Sequence, residues 1–342
     1  MANNHEQFIA FNDAVALTHT KKNELKRNRR ALRDVIKYYF RDNKPNEIIP
    51  QFSSQGSFMM NTTVNPIPEE IEDGEVIYGY DIDDGVYFIG EEEVEDRKSV
   101  PTYHDWIYDA VKDHTDKGAV KKNTCVRVLY ADGHHIDLPI YYKYEKGYDI
   151  RIPELAHKSK GWIDSDPREF YRWFNEEVDY RGLQLRKIVR YLKAWIDYRN
   201  SINSDNQMPS GFIMTILATE NYSANERDDK ALYYTLQNIL NKIDEDHFGT
   251  FVCLRPTTPS GENLFAGFSD TRKKYFLKQL DNFITSAKLA IEGENQKTSC
   301  LKWQKHFGDR FSCSTAKDED EKSGAKSYDS PAVITSNATS AK

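Results

Sequence analysis

The first 150 residues contain several short runs with the pattern of β-strands, together with helical segments. Each of these runs is rich in aromatic and β-branched residues, which favours β-strands. One long segment differs, because Leu25, Leu32 and Ile36 form an apolar stripe at helical spacing. The sequence therefore predicts a mixed α/β lobe over residues 1–150, with strands at 76–90, 124–130 and 135–144 and helices at about 21–40 and 104–116.

Beyond residue 150, apolar positions recur every three or four residues, which is the spacing of amphipathic helices. The clearest case runs through Leu185, Ile188, Val189 and Leu192, which share one helical face. After residue 312 no apolar period continues, so residues 313–342 are predicted to be a disordered tail. We expect a helical lobe over residues 151–312, with a helical region from about 167 to 200, a helix opened by the Pro-Ser-Gly step at 209–211, and helices at about 228–246, 271–292 and 296–307.

Composition limits the classes of protein to consider. The chain has 342 residues, enough for two domains, and a formal net charge of −7. A mildly acidic chain is a poor general binder of nucleic acid, so any phosphate recognition must be local. Neither a signal peptide nor a run of ~18 apolar residues is evident, so we expect a cytoplasmic protein without membrane association.

The four cysteines are far apart in the sequence. Cys125, Cys253, Cys300 and Cys313 form no Cys-x-x-Cys pair and no cluster with histidines at metal-ligand spacing. They are therefore predicted to be reduced thiols.

The predicted helix at 21–40 carries five cations, and two interpretations of them remain open. They form either a surface that senses an RNA or DNA activator or a solvated face, and the acidic total favours the second. The five residues are Lys22, Lys26, Arg29, Arg30 and Arg33.

Three aspartates are the candidate chemistry of the first lobe. Asp81 and Asp83 lie two residues apart in a predicted strand, so both carboxylates leave it on one face. In the later run at 134–142, Asp137 shares a face with His135. Two unit charges about 4 Å apart repel by roughly 4 kcal/mol at an effective dielectric near 20, so three carboxylates in one cleft would either have raised pKa values or recruit cations such as Mg²⁺. Alone, however, Asp-x-Asp is common in a chain with 54 acidic residues, and the Asp-Asp-Gly at 83–85 is also a turn signal.

Two further segments are candidates for phosphate binding. The Gly56-Ser57 step offers backbone N–H groups and a hydroxyl, although an ordinary turn is the simpler interpretation. Arg186, Arg190 and Lys193 form a flanking stripe on the predicted helix near 190, which suits either a triphosphate or a solvated shoulder.

Eight segments in this order resemble the bacterial cyclic-dinucleotide synthases of the DncV type, which are prokaryotic relatives of cGAS and oligoadenylate synthase within the polymerase-β-like nucleotidyltransferases. The resemblance extends from about residue 51 to residue 311, and the order of the segments makes it specific. The segments are QGSF at 55–58, Thr63 with Pro66, YDIDDGVY at 80–87, HHIDLPIY at 134–141, GWIDSDPREFYRWFNE at 161–176, LRKIVRYLKAW at 185–195, PSG at 209–211 and FGDRF at 307–311.

The resemblance implies an α+β fold with two lobes, a mixed β-sheet, a helical C-terminal lobe and an active site between them. It also implies two Mg²⁺ ions, with Mn²⁺ as an alternative, held by Asp81, Asp83 and Asp137. Asp137 would in addition help to deprotonate the attacking ribose hydroxyl. The nucleotide-binding residues implied in the same way are Gln55, Gly56, Ser57, Lys193 and Ser210.

The chain departs from the family pattern at several positions. A single serine, Ser210, stands where two consecutive serines are expected, and Met60 stands near the place of a base-stacking tyrosine. The 23 residues between Ser57 and Asp81 suggest an inserted loop at 68–76, and the zinc-binding insertion of animal cGAS has no counterpart. Base preference therefore does not transfer from the family.

The activity implied is the joining and cyclisation of ATP, GTP or both into a cyclic di- or trinucleotide for antiphage signalling. Two alternatives remain open: a template-independent nucleotidyltransferase that acts on RNA ends or a small molecule, and a silent nucleotide-binding module. Retention of all three aspartates disfavours the silent module. An operon-encoded regulator, or a partner conjugated to the C-terminus, is a further expectation from the resemblance.

Overall fold

A computed structural model describes residues 1–70, 76–77, 79–203, 208–244 and 251–319. They form an α+β fold in which a mixed β-sheet and a helical region each surround an apolar core, and this confirms the predicted fold class. Residues 71–75 of the predicted inserted loop, and the tail beyond residue 319, lie outside the described residues. The strands are β1 Gln51–Gln55, β2 Glu69–Glu70, β3 Val76–Ile77, β4 Asp81–Gly90, β5 Ala119–Lys121, β6 Cys125–Leu129, β7 His135–Lys146, β8 Asp149–Ile150, β9 Glu154–His157 and β10 Gly161–Asp164.

Most of the predicted helices are present, with two corrections. The helix predicted at 104–116 begins earlier, because the Ser99 hydroxyl accepts a hydrogen bond from the Thr102 N–H and caps it. The helical region predicted from 167 to 200 is two helices, because Gly182 adopts φ +96° and ends the first. The helices are α1 His5–Val15, α2 His19–Asn43, α3 Gly56–Met59, α4 Val100–Val111, α5 Pro167–Arg181, α6 Gln184–Ile202, α7 Gly211–Glu220, α8 Asp228–Asp244, α9 Asp270–Glu292 and α10 Gln296–Phe307.

The central sheet has the strand order β1-β4-β7-β6-β5. Strands β4 and β7 run parallel, whereas β1 pairs with β4, and β6 with β7, in antiparallel fashion. The parallel register places Asp81 opposite His135 and Asp83 opposite Asp137. The two predicted acidic strands are therefore neighbours in the centre of the sheet.

Helix α2 covers one face of this sheet and uses part of its basic surface to do so. Leu25, Leu32 and Ile36 are buried in the sheet core. Arg33 donates from Nε to Asp84 Oδ2 at 2.7 Å, and the Asp84 side chain has no solvent exposure. Because Asp84 neighbours Asp83 on the strand, its side chain leaves on the opposite face, away from the other two aspartates of β4.

The remaining cations of the predicted basic face of α2 have different environments. Arg29 donates to the Ser54 hydroxyl at 2.5 Å, and Lys22 donates to Asn61 Oδ1 at 2.9 Å. Lys26 and Arg30 are exposed. The interpretation as a wholly solvated face is therefore wrong for the cations that bind protein groups.

Helix α1 packs in the helical core, although it precedes the sheet in the chain. The Phe8 ring lies 4.9 Å from the rings of both Trp303 and Phe311. The Tyr191 hydroxyl donates to the Phe8 carbonyl at 2.8 Å. The predicted boundary between the two lobes at residue 150 stays a prediction. The N-terminal 15 residues, which that boundary assigns to the first lobe, pack against the helices of the second.

A disulfide corrects the prediction for two of the cysteines. Cys300 on α10 and Cys313 just after it are bonded, with Cα atoms 5.8 Å apart. The 13-residue separation hides this pairing in the sequence, because only the reversal of the chain after Phe307 brings the two together. Cys125 and Cys253 are free and buried, as predicted.

The start of the predicted tail is part of the helical region. Cys313 and Ala316 are buried, and the Lys297 N–H donates to the Lys317 carbonyl at 2.9 Å.

Among the helices that the structure describes, none combines the length and apolar character that crossing a bilayer requires.

Candidate active site

The centre of the site lies where β4 and β7 run side by side. Asp81, His135 and Asp137 each place one potential ligand atom within 4.8 Å of those of the other two. Period two within each strand, and the parallel register between them, explain why these side chains share a face. His135 is a site residue that the sequence prediction omitted, although its shared face with Asp137 was a usable signal.

Asp83 belongs to the same acidic group but its carboxylate lies toward Gly56. A Cβ built on Gly56 would overlap Asp83 Oδ2, and Gly56 has φ +71°. Burial, followed by the charges of Asp81 and Asp137, raises the pKa of Asp83 well above its ordinary value. The three predicted aspartates are therefore close enough to repel one another.

Arg127 is a second residue that the sequence prediction missed. From β6 it donates to both oxygens of Asp137, with Nε–Oδ1 at 2.7 Å and Nη2–Oδ2 at 2.8 Å. The antiparallel register of β6 and β7 places the two residues opposite each other. The only sequence signal was an arginine in a predicted strand, and its partner strand cannot be identified without the sheet order.

A cleft of about 680 Å³ opens in front of the acidic group. This volume is in the range of ligand pockets, roughly 300–1,000 Å³. Its lining combines the sheet region with α6, α7 and the loops near Arg255 and Arg272. Seven of the eight residues predicted from the sequence line it: Gln55, Gly56, Ser57, Asp81, Asp83, Lys193 and Ser210.

Lys193 lines the cleft, as do Arg255 and Arg272. It is buried, and its Nζ donates to the Thr62 hydroxyl at 3.0 Å. Burial lowers its pKa to about 8, against the opposing attraction of Asp81 and Asp83. The other two cations of the predicted stripe bind protein groups instead: Arg186 donates to Asn175 and Arg190 to Asn12 and the Asn61 carbonyl.

The polar residues beside the cleft are held by their neighbours. Ser57 shares a hydrogen bond with the Thr63 hydroxyl at 3.0 Å, at the N-terminal turn of the short helix α3. Ser210 caps α7, since its hydroxyl accepts from the Ile213 N–H. Its sequence interpretation as a helix cap is confirmed, and its position in the cleft leaves nucleotide binding a prediction.

Gln55 faces two tyrosines of the sheet. Its Nε2 donates to the Tyr141 hydroxyl at 3.0 Å, and the Tyr87 hydroxyl lies 3.5 Å from its Oε1. The two tyrosine rings stack with centroids 4.7 Å apart. Gln55 therefore helps to fix the sheet surface beneath the site as well as lining the cleft.

A second chamber of about 440 Å³ lies on the other side of Asp83 and Gln55. Asp137, the eighth predicted residue, lines this chamber rather than the first. The acidic group therefore has room for a ligand on each side. The other lining residues are Thr124, Cys125, Pro139, Tyr141, Leu155, Phe212 and Arg255.

The donor set fits a divalent cation. Asp81 and Asp137 offer oxygens, which Mg²⁺ prefers, and the imidazole of His135 is also acceptable to Mn²⁺. A carboxylate has about four lone-pair sites, so Asp137 can accept both bonds from Arg127 and still offer an oxygen to a cation. The raised pKa of Asp83 reflects repulsion that such a cation would relieve.

Comparisons with known proteins agree with this geometry. Residues 50–141, which include all three aspartates, match the family model described as the nucleotidyltransferase domain of DncV-like cyclic GMP-AMP synthase. A cyclic GMP-AMP synthase of Escherichia albertii is 30% identical over 202 residues, covering 57% of this chain and 42% of that protein. A cyclic GMP-AMP synthase of Vibrio cholerae is 27% identical over 205 residues, covering 44% of this chain and 43% of that protein. The chain thus matches less than half the length of these curated relatives.

Solved structures show that the fold itself is shared. The Vibrio cholerae DncV cyclic AMP-GMP synthase in complex with nonhydrolyzable GTP has a TM-score of 0.74, with 19% identity over 91% of this chain and 97% of that one. The same enzyme in complex with the linear intermediate 5′ pppA(3′,5′)pG also has a TM-score of 0.74, with 18% identity over 91% and 96% of the two chains. Residues 50–141 are therefore similar to a DncV-like nucleotidyltransferase domain, and the fold of the chain is similar to that of the Vibrio cholerae enzyme.

Proposed function

We propose that this chain joins and cyclises ATP, GTP or both into a cyclic di- or trinucleotide, with release of pyrophosphate. The observation that carries the proposal is the position of the acidic group between two chambers, one of which contains Lys193 and the Gly56-Ser57 step. Curated relatives named cyclic GMP-AMP synthases support ATP and GTP as the substrates.

The first chamber suits the nucleoside triphosphate whose α-phosphate is attacked. Lys193 supplies a cation below pH 8, and the α3 N-terminus supplies backbone N–H groups beside Ser57. Gly56 lets Asp83 approach this backbone closely, because a side chain there would overlap the carboxylate. These groups hold the triphosphate with its α-phosphate near the aspartates.

The second chamber suits the nucleotide that supplies the attacking hydroxyl. Asp137 faces this side, and Arg127 fixes the orientation of its carboxylate through two hydrogen bonds. In the step proposed, the ribose oxygen bonds to the α-phosphorus, the hydroxyl proton passes to Asp137, and the bond to the β-phosphate oxygen breaks. Positioning and charge neutralisation carry the rate in such transfers.

Two divalent cations, Mg²⁺ or Mn²⁺, would be held by Asp81, Asp83 and Asp137, with His135 beside them. When bound, they supply Lewis-acid activation and neutralise charge on the phosphates. The chain itself supplies the carboxylate oxygens that bind the cations, and the parallel strands β4 and β7 hold these oxygens close together before the substrate binds.

Cyclisation repeats the same chemistry within one molecule. After the first bond forms, the linear dinucleotide still has a triphosphate at one end and a free ribose hydroxyl at the other. If these ends bind in the first and second chambers, the second transfer closes the ring and releases a second pyrophosphate. Both transfers then use one set of aspartates.

Incubation of the protein with labelled ATP and GTP and Mg²⁺, without an acceptor, tests the proposal. A product that resists phosphatase, and that the Asp81→Ala/Asp83→Ala variant does not make, is the expected result. Labelling of added RNA ends, with no product in the absence of RNA, would instead favour the template-independent alternative. The mass of the product distinguishes a dinucleotide from a trinucleotide.

The biological role is a further part of the proposal. Antiphage signalling, and control by a neighbouring operon protein or by conjugation at the C-terminus, follow from the family resemblance. Intact mass after coexpression with neighbouring gene products should increase by the mass of the conjugated group, and an unchanged mass would contradict conjugation.

A further inference from the structure

The two chambers of the site share four lining residues. Gln55 and Asp83 come from the sheet region, and Phe212 and Arg255 come from the helical region. Only the first two were among the residues predicted from the sequence. Phe212 and Arg255 are 43 positions apart, so their proximity is a property of the fold.

The backbone around Arg255 is fixed on both sides. Its N–H donates to the Glu262 carbonyl at 2.9 Å, and its carbonyl accepts from the Gly261 N–H at 2.9 Å. The neighbouring residue Leu254 pairs with Asn263 in an isolated antiparallel bridge. The loop therefore presents the arginine from a defined position.

The guanidinium of Arg255 can donate hydrogen bonds beyond those that it makes within the described residues. It lies over the Phe212 ring, 5.4 Å from the centroid, and its Nη1 is 3.5 Å from Glu262 Oε2. Its Nε is buried and has no hydrogen-bond partner among the residues that the structure describes. A buried donor without an acceptor is costly, so this edge of the guanidinium suits a ligand acceptor.

Arg255 borders both chambers, and the walls of the second chamber beside it suit a base rather than a phosphate. The chamber walls there are apolar or aromatic and can face the flat sides of a purine: Pro139, Tyr141, Leu155 and Phe212.

We propose that Arg255, held over Phe212, recognises the base in the second chamber and selects guanine. A guanidinium fork matches the O6 and N7 acceptors of guanine, whereas adenine presents an N6 donor beside N7. The assignment rests on the nucleotidyltransferase activity proposed above and adds a base preference to the nucleotide that supplies the attacking hydroxyl when the ring closes.

Guanine analogues that differ by one group test this contact. With ATP as the second substrate, the wild-type protein should use GTP about tenfold better in kcat/KM than 7-deaza-GTP, which lacks N7, as expected for one bidentate contact. ITP, which keeps O6 and N7, should behave like GTP. Arg255→Met should remove the difference between GTP and 7-deaza-GTP, and Arg255→Lys should restore only part of it.

A matched control is Arg272→Met, because Arg272 lines the first chamber but not the second. That variant should keep the ratio of GTP to 7-deaza-GTP use. An equal loss for every nucleotide in Arg255→Met would show a phosphate contact and overturn the assignment, as would an unchanged preference.

A binding assay separates this inference from the proposed activity. Equilibrium binding of GTP and 7-deaza-GTP, measured with Ca²⁺ in place of Mg²⁺, should show the same preference in the wild-type protein and its loss in Arg255→Met. A wild-type protein that forms no product but shows this preference would contradict the activity and support base recognition. Equal affinities for the two nucleotides would contradict base recognition whatever the activity.

Discussion

Asp83 occupies the space into which a side chain on Gly56 would project. The first residue of α3 adopts φ +71°, and a Cβ there would overlap Asp83 Oδ2. The Gly56-Ser57 step and the acidic strand β4 are therefore packed directly together, and glycine is required at position 56 for both its backbone conformation and its lack of a side chain.

Gly56→Ala is expected to displace the Asp83 carboxylate and to lower kcat/KM by about 100-fold, the typical cost of a misplacement near 1 Å. The fold should persist, because the change lies in the cleft rather than in either core. Steady-state kinetics and a thermal unfolding scan measure the two effects.

Gly79→Ala is the matched control for that variant. Gly79 also lines the cleft, but a Cβ there would meet no atom of the described residues within 4 Å. Its activity should equal that of the wild-type protein. If both alanine variants lose activity equally, the Gly56–Asp83 contact is not the cause.

Removal of Arg127 should weaken the site through Asp137. Residues that orient a metal ligand typically contribute 10–100-fold to metal affinity or activity. We therefore expect Arg127→Ala to reduce both the rate and the affinity for Mn²⁺, measured by electron paramagnetic resonance without nucleotide. Arg127→Lys should recover little, because a lysine cannot bind both carboxylate oxygens in the same way.

The ion pair of Arg33 with Asp84, on the opposite face of β4, provides the control for Arg127→Ala. Arg33→Ala leaves a fully buried carboxylate without its cation, which typically costs about 3–5 kcal/mol of stability. This variant should unfold at lower temperature while its folded fraction still binds Mn²⁺ normally.

Normal Mn²⁺ binding by Arg127→Ala would show that the hydrogen bonds from Arg127 are not needed to orient the Asp137 carboxylate as a metal ligand.

Asp83→Asn should abolish product formation and yet stabilise the fold. The folded-state pKa of Asp83 is raised, so the native protein binds more protons than the unfolded chain between the ordinary pKa and the raised one. The stability contribution of this group therefore falls as pH rises through that interval, so at neutral pH this carboxyl group lowers the stability of the fold.

The asparagine variant removes that cost, so its unfolding midpoint at pH 7 should exceed the wild-type value by at least about 2 °C, roughly what 1 kcal/mol causes in a larger domain. The difference should shrink as pH is lowered. A variant that is less stable than the wild-type protein at pH 7 would show that the charge of Asp83 is well compensated without metal.

Nucleotide binding should weaken at alkaline pH because of Lys193. Its pKa is lowered to about 8, so the side chain is charged below that pH and loses its proton above it. Since phosphate favours the charged form, affinity should fall by up to about tenfold per pH unit above pH 8. Fluorescence titration of a labelled nucleotide between pH 6.5 and 9.5, a range of roughly three units about this pKa, measures the effect.

Lys193→Arg provides the control, since a guanidinium stays charged throughout that range. Binding by this variant should depend little on pH. The same alkaline decline in Lys193→Arg would assign the pH dependence to another group.

The sequence was sufficient for features that depend on local periodicity. The period of two in a strand placed Asp81 and Asp83 together, and the spacing of apolar residues predicted α2 and α6. Ser210 was recognisable as a cap because the Pro-Ser-Gly step precedes an apolar run.

Features that depend on chain pairing were not accessible. Arg127 faces Asp137 only because β6 lies beside β7, and Cys300 meets Cys313 only because the chain reverses after α10. The position of α1 likewise depends on aromatic contacts with residues about 300 positions away, such as Phe8 with Phe311. No local pattern encodes which of many possible partners a strand or helix meets.

The central claim is that the aspartates on β4 and β7 close a nucleotide ring. Mass spectrometry of products from ATP and GTP with Mg²⁺, together with an assay of pyrophosphate, tests it most directly. The account predicts a cyclic product without terminal phosphate and one pyrophosphate for every nucleotide incorporated, with neither formed by Asp137→Asn. A linear product that retains its triphosphate, or cyclic product from the Asp137→Asn variant at the wild-type rate, would contradict it.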